Sequence, residues 1–575
     1  MLDKVFIVPE PKRFVFNGNW FSFDGFNNLP EFFRKEFNIP QGSWVIKKID
    51  REGTGVKIKE REVEIWGDEK VSYATIIQIV MQTKNRLPEV EIEEEFHFPF
   101  RGYHLDIARG GVPNLDTFKK ILRWLFLLKY NYFGIYFEDL FPWQKYPQIG
   151  KLRGRLEREE LEEIISYGEN LGIEVFPSLE LCGHMENILS LPEFTRFSEW
   201  HRPQEGTINV FDEEAREFTY DLLREVVEFF PSEHIHIGGD ETWALGRGKS
   251  LDKTNTFKGP ELFELHHRNL INIVRDKGKT PIVWGDMLTG MYLRPDEREK
   301  WKVVLESEIW DDVIIANWDY TNLSEKHFRE KINLFGKRKE KQIVCPGFSN
   351  WGRFYPSFDI AITNITNFLK PAKEEGVKGF LVTSWGDDGA EALYSFLDPL
   401  ILANMEIAEG NGNWEEKWIA LSGERHEVLE VRKLFGNDLF SMTIKHVFLG
   451  TPTFRYYSEI LKDNVHRREK STGDLWLDYY MGFIKNLKDT EALLKEYEKM
   501  LEKVYNVTLP EDLEMIRDML RIGIKRLRGE VNFSDFVEFG NRYARLWLSE
   551  RKKENLEVVI VKIYGAAGRA DLRIF

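Results

Sequence analysis

Three kinds of hydrophobic patterning follow one another along this chain. Up to about Pro99, short stretches alternate apolar and polar residues, as in Val56-Lys-Ile-Lys and Glu62-Val-Glu-Ile-Trp66. That is the period of a strand with one wet face. Tyr73–Met81 is a further candidate segment of this region, which reads as a small α+β domain. From Arg101 to about Gly410, apolar strand-like runs alternate with amphipathic helical ones. The predicted strands are Tyr103–Ala108, Tyr132–Asp139, Glu174–Glu180, His234–Glu241, Thr280–Asp286, Val313–Asp319, Gln342–Phe348 and Gly379–Asp387. Helical spacing lies between them, for example over Leu115–Lys129, Arg158–Leu171 and Pro260–Lys277. Beyond Gly410 the strand signals fade, and charged stretches with helical apolar spacing take over, including Tyr479–Val504 and Leu513–Arg528.

Strands alternating with helices argue for βα units and a parallel sheet. The pattern predicts an α/β protein: a (β/α)8 TIM barrel over 100–410, a small N-terminal α+β domain over 1–99 and a C-terminal helical domain over 411–575. A doubly wound sheet is the alternative. The barrel is favoured because nearly every predicted strand ends in polar or aromatic residues: Asp139, Glu180, Asp240, Glu241, Asp286, Asp319, Asp387 and several Trp. In a closed barrel the strand C-termini surround one site.

Composition narrows the partners. A chain of 575 residues with 42% hydrophobic content can bury a sizeable core. The net charge of −15 is spread along the chain and argues against nucleic acid or an anionic membrane surface as the main partner. Its 2 cysteines, Cys182 and Cys345, offer neither a disulfide framework nor a cysteine zinc site. The N-terminal stretch lacks the basic head and long apolar core of a signal peptide, and a cytoplasmic enzyme is expected. The 17 Trp and 14% aromatic content suit sugar faces as well as a core. The abundance of Lys and Glu is compatible with a heat-tolerant source.

The densest candidate chemistry is His234-Ile-His-Ile-Gly-Gly-Asp240-Glu241. Successive strand residues point to opposite faces, so Asp240 and Glu241 serve one pocket only if the backbone turns. Gly238 and Gly239 permit that turn. Paired carboxylates at a strand end suit glycoside hydrolysis, which needs one proton donor and one lasting negative charge. His234 and His236 alternate onto one face without an evident third ligand, so they are expected to pack the barrel, and no metal or cofactor is predicted.

In order along the barrel, Arg101-Gly-Tyr-His-Leu-Asp106-Ile-Ala-Arg109, Phe137-Glu-Asp139, Pro177-Ser-Leu-Glu-Leu-Cys-Gly-His184, His236-Ile-Gly-Gly-Asp240-Glu241, Val283-Trp284-Gly-Asp286, Trp318 and Thr383-Ser-Trp385-Gly-Asp387 resemble the motifs of glycoside hydrolase family 20, the β-N-acetylhexosaminidases. Pro9-Glu-Pro11-Lys12 resembles the opening of the small domain that precedes such barrels. The resemblance implies an exo-acting, retaining enzyme on terminal β-linked GlcNAc or GalNAc, in which the substrate's own acetamido oxygen attacks C1. It assigns Glu241 as the acid and then base, and Asp240 as the charge that orients the acetamido group. It further implies that Arg101 binds sugar hydroxyls and that His184 and Asp139 form a relay to Glu241. Trp284, Trp318 and Trp385 would wall the acetamido pocket. Tyr320 is the first candidate for the acetamido oxygen and Tyr355 the second, and Asn350-Trp351-Gly-Arg353 offers further contacts.

The family often carries Glu where this chain has Asp387, which leaves gluco versus galacto preference open. The expected partner is a small oligosaccharide or amino-sugar glycoside, with homo-oligomerisation open. Two other readings stay beside it. One is a retaining glycosidase with Glu180 or Asp286 as nucleophile. The other is a sugar-binding protein with weak catalysis.

Overall fold

The computed structural model of the chain describes residues 4–450 and 490–568. An N-terminal sheet is formed by β1 (Arg13–Ser22), β2 (Val45–Lys48), β3 (Thr54–Lys59), β4 (Glu62–Trp66) and β5 (Arg86–Glu94), in the order β1-β5-β3-β4-β2. Antiparallel pairs dominate, with β2 parallel to β4. The candidate segment Tyr73–Met81 lies in a helix, Glu69–Thr83, whose first turn is capped by the Asp68 carboxylate accepting from the Lys70 and Val71 amides. Residues around most of this helix are buried, because it is sandwiched between the sheet and the barrel. Gln78 donates both to Val8 O and to Leu127 O, which joins the two layers.

The second domain is a closed parallel barrel. Its strands are β6 (Phe100–Asp106), β7 (Tyr132–Tyr136), β8 (Glu174–Ser178), β9 (His234–His236), β10 (Thr280–Trp284), β11 (Ile314–Trp318), β12 (Gln342–Cys345) and β13 (Gly379–Ser384). All eight segments predicted from patterning are present, and β13 pairs with β6 to close the ring. Helices cover the outside. Leu115–Leu127 and Glu213–Phe229 present apolar faces to the strands, and Asn114 and Asp212 cap their first turns. Most observed strands stop two or more residues before the predicted end. The extra residues include apolar ones such as Ile107, Phe137, Leu179 and Ile237 as well as the polar ones, and they leave the ladder to form the mouth of the barrel.

After the barrel come helices only among the described residues. Asp398–Glu409 packs back on the barrel, followed by Trp414–Ser422, His426–Phe435, Asp438–Leu449, Thr490–Val504, Glu511–Arg528, Phe533–Glu550 and Leu556–Ala567. The first part of the predicted helical stretch Tyr479–Val504 falls outside the described residues. No described helix is long and apolar enough to cross a membrane.

Candidate active site

The C-terminal ends of the barrel strands open into one cavity of about 350 Å³. Its acidic side is formed by Asp240 and Glu241, which follow β9, with His184, which follows β8. The strand-to-loop turn depends on Gly238 and Gly239, at φ 72° and 101°. A Cβ on Gly238 would sit 2.3 Å from Glu180 Oε2, so glycine is required by space as well as by conformation. Glu241 itself is left-handed at φ 48°, as are Glu138 at 45°, His184 at 49° and Met291 at 44°, all at the barrel mouth. Such residues persist only where the surroundings over-determine them, and they concentrate at working sites.

His184 Nε2 lies 3.5 Å from an oxygen of Asp240 and 3.5 Å from one of Glu241. It bridges the two carboxylates and holds them toward one space. Burial alone would lower the His184 pKa, but the Asp240 charge and bonds to Asp240 and Glu241 raise it well above the usual range. Burial likewise opposes ionisation of Asp240, yet His184 holds its carboxyl below the usual carboxylate range. Beneath Asp240 sits Glu180. Burial and the neighbouring Asp240 charge push Glu180 well above the usual range, so it keeps its proton and shares a hydrogen bond with Asp240. Glu180 also accepts from Gly239 N–H at 3.2 Å and Trp284 Nε1–H at 3.0 Å. Asp286 accepts the Glu241 amide at 2.9 Å and the Trp318 indole N–H at 3.2 Å. Burial and then the Asp240 charge push Asp286 up to about 8. Asp240 thus sits among His184, Glu180 and Asp286, each pushed toward its protonated form.

The opposite wall is aromatic. Trp318 stacks on Tyr320 with centroids 5.2 Å apart, and Trp385 Nε1 donates to the Tyr320 hydroxyl at 2.8 Å. All three line the cavity together with Trp351. Tyr355, the second tyrosine candidate, is buried between Phe358 and Phe396, away from this space. Asp387 lines the rim beside Arg109, 3.7 Å from its Nε.

Three sequence assignments are displaced. Arg101 stands at the N-terminal end of β6, the far end of the barrel. Its guanidinium donates to Lys129 O and Phe98 O and lies over the Phe96 ring, so it reaches no substrate at the mouth. An arginine of the same motif that does reach the cavity is Arg109, eight residues further along and past the end of β6. It is fixed by Asp106 at 3.2 Å and Glu138 at 3.3 Å. Asp139 does not meet His184: it is ion-paired with Arg153. The preceding Glu138 faces Arg109, and with Glu186 it offers oxygens near the His184 ring. Trp284 is fully buried, tilted against His236 with ring centroids 4.2 Å apart, and floors the site through Glu180 rather than lining it. Reasoning from sequence also missed Met291 and Arg294, which complete the lining from the loop after β10. Their only sequence signal is their place after a strand end. His234 and His236 pack inside the barrel, with His236 Nδ1 accepting the Gly238 amide.

Residues 98–333 match the family model for the catalytic domain of glycosyl hydrolase family 20. The chain is 27% identical over 309 residues to hexosaminidase D of Homo sapiens, covering 50% of this chain and 60% of that protein. It is 31% identical over 204 residues to a beta-hexosaminidase of Vibrio furnissii, covering 29% of this chain and 33% of that protein. The chain therefore spans less than two thirds of these relatives. Among solved structures, the GH20 exo β-N-acetylglucosaminidase of Vibrio harveyi superposes with a TM-score of 0.57 at 15% identity, over 73% of this chain and 78% of that one. The Flavobacterium johnsoniae chitobiase gives 0.57 at 14% identity, over 97% and 99%. At such identities the structural likeness speaks for the fold alone. The sequence match adds to this: residues 98–333, which carry Asp240 and Glu241, are similar to the catalytic domain of glycosyl hydrolase family 20.

Proposed function

We propose that this chain is an exo-acting β-N-acetylhexosaminidase that removes terminal, non-reducing β-linked GlcNAc or GalNAc with retention of configuration. The observation that carries this reading is the arrangement around Asp240 and Glu241. The two carboxylates share one cavity through His184, while the carboxylates that could have served as protein nucleophiles are engaged elsewhere. Glu180 is buried under Asp240 and Asp286 is taken up by the Glu241 amide and Trp318, and neither lines the cavity.

The reaction follows from these positions. The acetamido carbonyl oxygen of the substrate attacks C1 as the bond from C1 to the leaving oxygen breaks. Glu241, whose side chain is 43% exposed at the cavity, gives its proton to that oxygen. The cyclic oxazolinium ion carries positive charge next to Asp240, which stays ionised and orients the acetamido N–H. Glu241 then takes a proton from the water that attacks C1, as the bond from C1 to the acetamido oxygen breaks and the acetamido group is restored. Tyr320, fixed by Trp385, is assigned to the acetamido oxygen, and Trp318 and Trp385 to the acetamido methyl and sugar face. Arg109 takes the hydroxyl-binding role that the motif first suggested for Arg101. A cavity at the low end of the usual range of about 300–1,000 Å³ for small-molecule sites suits a single terminal sugar. The buried, unpaired Cys182 and Cys345 suit a reducing compartment, and we place the enzyme in the cytoplasm as part of the same proposal.

A thiazoline analogue of N-acetylglucosamine tests the mechanism. It mimics the cyclic intermediate and is expected to bind at least about 100-fold more tightly than substrate. A β-glucoside, lacking the internal nucleophile, is expected to be hydrolysed very poorly. Covalent labelling of Glu180 or Asp286 by a fluorosugar would overturn the substrate-assisted route.

A further inference from the structure

Asp387 and Trp385 reach the cavity from a segment that lies beyond the family match and has an unfavourable backbone. After Asp387, three successive residues are left-handed: Asp388 at φ 65°, Gly389 at 96° and Ala390 at 56°. Two of them carry side chains that disfavour this conformation. The barrel gives the segment some support, since Gly386 N–H donates to Asp106 Oδ2 at 2.8 Å and Asn350 donates to Trp385 O at 2.7 Å.

Most of the remaining bonds come from the C-terminal helices. Lys445, on helix Asp438–Leu449, reaches Asp388 Oδ2 at 2.9 Å and Glu391 Oε2 at 2.5 Å. Lys562, on helix Leu556–Ala567, donates to Asp388 O and pairs with the other Glu391 oxygen at 3.0 Å. Arg551 donates to Ala390 O at 2.6 Å and to Ala392 O, and the Tyr543 hydroxyl donates to Glu391 O at 2.8 Å. Glu391 is buried, so its charge is held there by two lysines from two different helices. This set satisfies the carbonyls that a left-handed turn strips from regular structure. It leaves the turn one arrangement, with Asp387 at the rim beside Arg109.

We propose that the C-terminal helical domain is a working part of the sugar site: Lys445, Lys562 and Arg551 lock the turn Asp388–Ala390 and thereby position Asp387 and Trp385 against the bound sugar. This rests on the cavity being the sugar site described above. The three basic residues act as positioning residues, since they reach the cavity only through the turn. Their contribution belongs to substrate binding rather than to proton transfer, because Glu241, Asp240 and His184 hang from other strands. Trp385 keeps its bond from Asn350 when the turn loosens, so Tyr320 stays in place, and the loss falls on Asp387 and substrate binding with the chemical step nearly intact.

The test compares the full-length wild type with Lys445→Ala, Lys562→Ala, Lys445→Arg and a control, Lys433→Ala. Lys433 pairs with Glu415 and Glu430 elsewhere in the same helical domain. Each protein is assayed on para-nitrophenyl N-acetyl-β-glucosaminide, and amide hydrogen exchange over 385–391 is followed without substrate. In both alanine variants KM should rise about tenfold with kcat changed less than about threefold. Exchange over 385–391 should quicken by about tenfold while the rest of the barrel keeps its protection. Lys445→Arg should restore most of both, and Lys433→Ala should change neither. Lys562 is partly exposed, so its variant folds even if Lys445→Ala does not. Unchanged exchange over 385–391 in the folded variants overturns the proposal. So does faster exchange throughout the molecule with kcat and KM deteriorating together, the mark of a merely structural role. If the wild type fails to cleave the substrate, the functional reading falls, and the exchange measurement still decides whether the clamp exists.

Discussion

Asp240 and Glu241 are neighbours in sequence and chemically alike, yet their surroundings separate them. The Asp240 side chain is 11% exposed and rests on His184 and on Glu180, whose pKa burial and the Asp240 charge push up, whereas the Glu241 side chain is 43% exposed toward the cavity. Glu241→Gln should abolish cleavage of substrates with poor leaving groups but slow the first step much less for an activated nitrophenol, which needs little protonation. Comparing single-turnover rates on an alkyl and a nitrophenyl glycoside checks this, and equal losses on both would remove Glu241 as the acid. A second residue reports through stability. Burial pushes Glu138 from 4.5 up to about 7, with Arg109 opposing. Its folded pKa lies above the unfolded one, so the native state holds the proton more tightly. That contribution is complete below about pH 4.5 and is lost as pH rises through about 7. Glu138→Gln imitates the protonated form. Its Tm relative to wild type should therefore improve steadily between those pH values, and a flat difference in a pH series of melting curves would contradict the assignment.

At the level of elements, chemistry begins where strands stop pairing. β9 contributes only His234–His236 to the ladder, and the next residues turn through Gly238 and Gly239. This explains why the strands predicted from patterning run too long at their C-terminal ends: the apolar run continues past the last ladder bond into the loop that carries Asp240 and Glu241. Gly238→Ala would combine the left-handed penalty of about 1–2 kcal/mol with a clash against Glu180 and Leu179 O. The expected result is a loss of about 2–4 kcal/mol in stability. Turnover should fall more than about tenfold, because displacing Glu180 disturbs the support of Asp240. Denaturant melts and kcat measured on the same preparation test both halves. A fully active, equally stable variant would show that the turn tolerates a side chain.

Across the whole molecule, buried ion pairs tie the flanking domains to the barrel. Lys417, on helix Trp414–Ser422, pairs with Glu406 at 2.8 Å and reaches Glu10 of the N-terminal region at 2.7 Å. Glu406 is also buried and accepts the Glu10 amide. At the end of helix Asp398–Glu409, which also carries Glu406, Glu409 accepts the amides of His97 and Phe98, where the N-terminal domain passes into β6. Removing one member of a buried pair strands the other charge. Lys417→Met should therefore cost about 3–5 kcal/mol, and Lys417→Met with Glu406→Gln should recover much of it. Urea denaturation of both variants decides. A double variant no more stable than the single one would mean that the pair contributes more than charge neutralisation.

The sequence by itself determined the layers of this protein and the centre of its chemistry. Apolar runs alternating with amphipathic stretches can bury themselves only as βα units, so all eight barrel strands were legible. The paired glycines before Asp240 and Glu241 announced a strand end that turns carboxylates into a pocket. Tertiary structure alone decided which residues meet there. Arg101 and Arg109 belong to one motif, but they sit at opposite ends of β6, and only closure of the barrel shows that the mouth belongs to Arg109. Glu138 and Asp139 are adjacent, and the left-handed backbone at Glu138 helps send one toward Arg109 and the other toward Arg153. Trp284 comes from a strand end like Trp318 and Trp385, yet it lies one layer deeper, under Glu180. The bonds from the C-terminal helices to the turn after Asp387 join residues more than a hundred positions apart in places, as in Tyr543 with Glu391. Periodicity reports which face of an element is buried, because burial is a local property of the chain. Depth along a strand, the direction of a strained turn and the partner of a charge are set by neighbours from distant elements, and no local pattern records them.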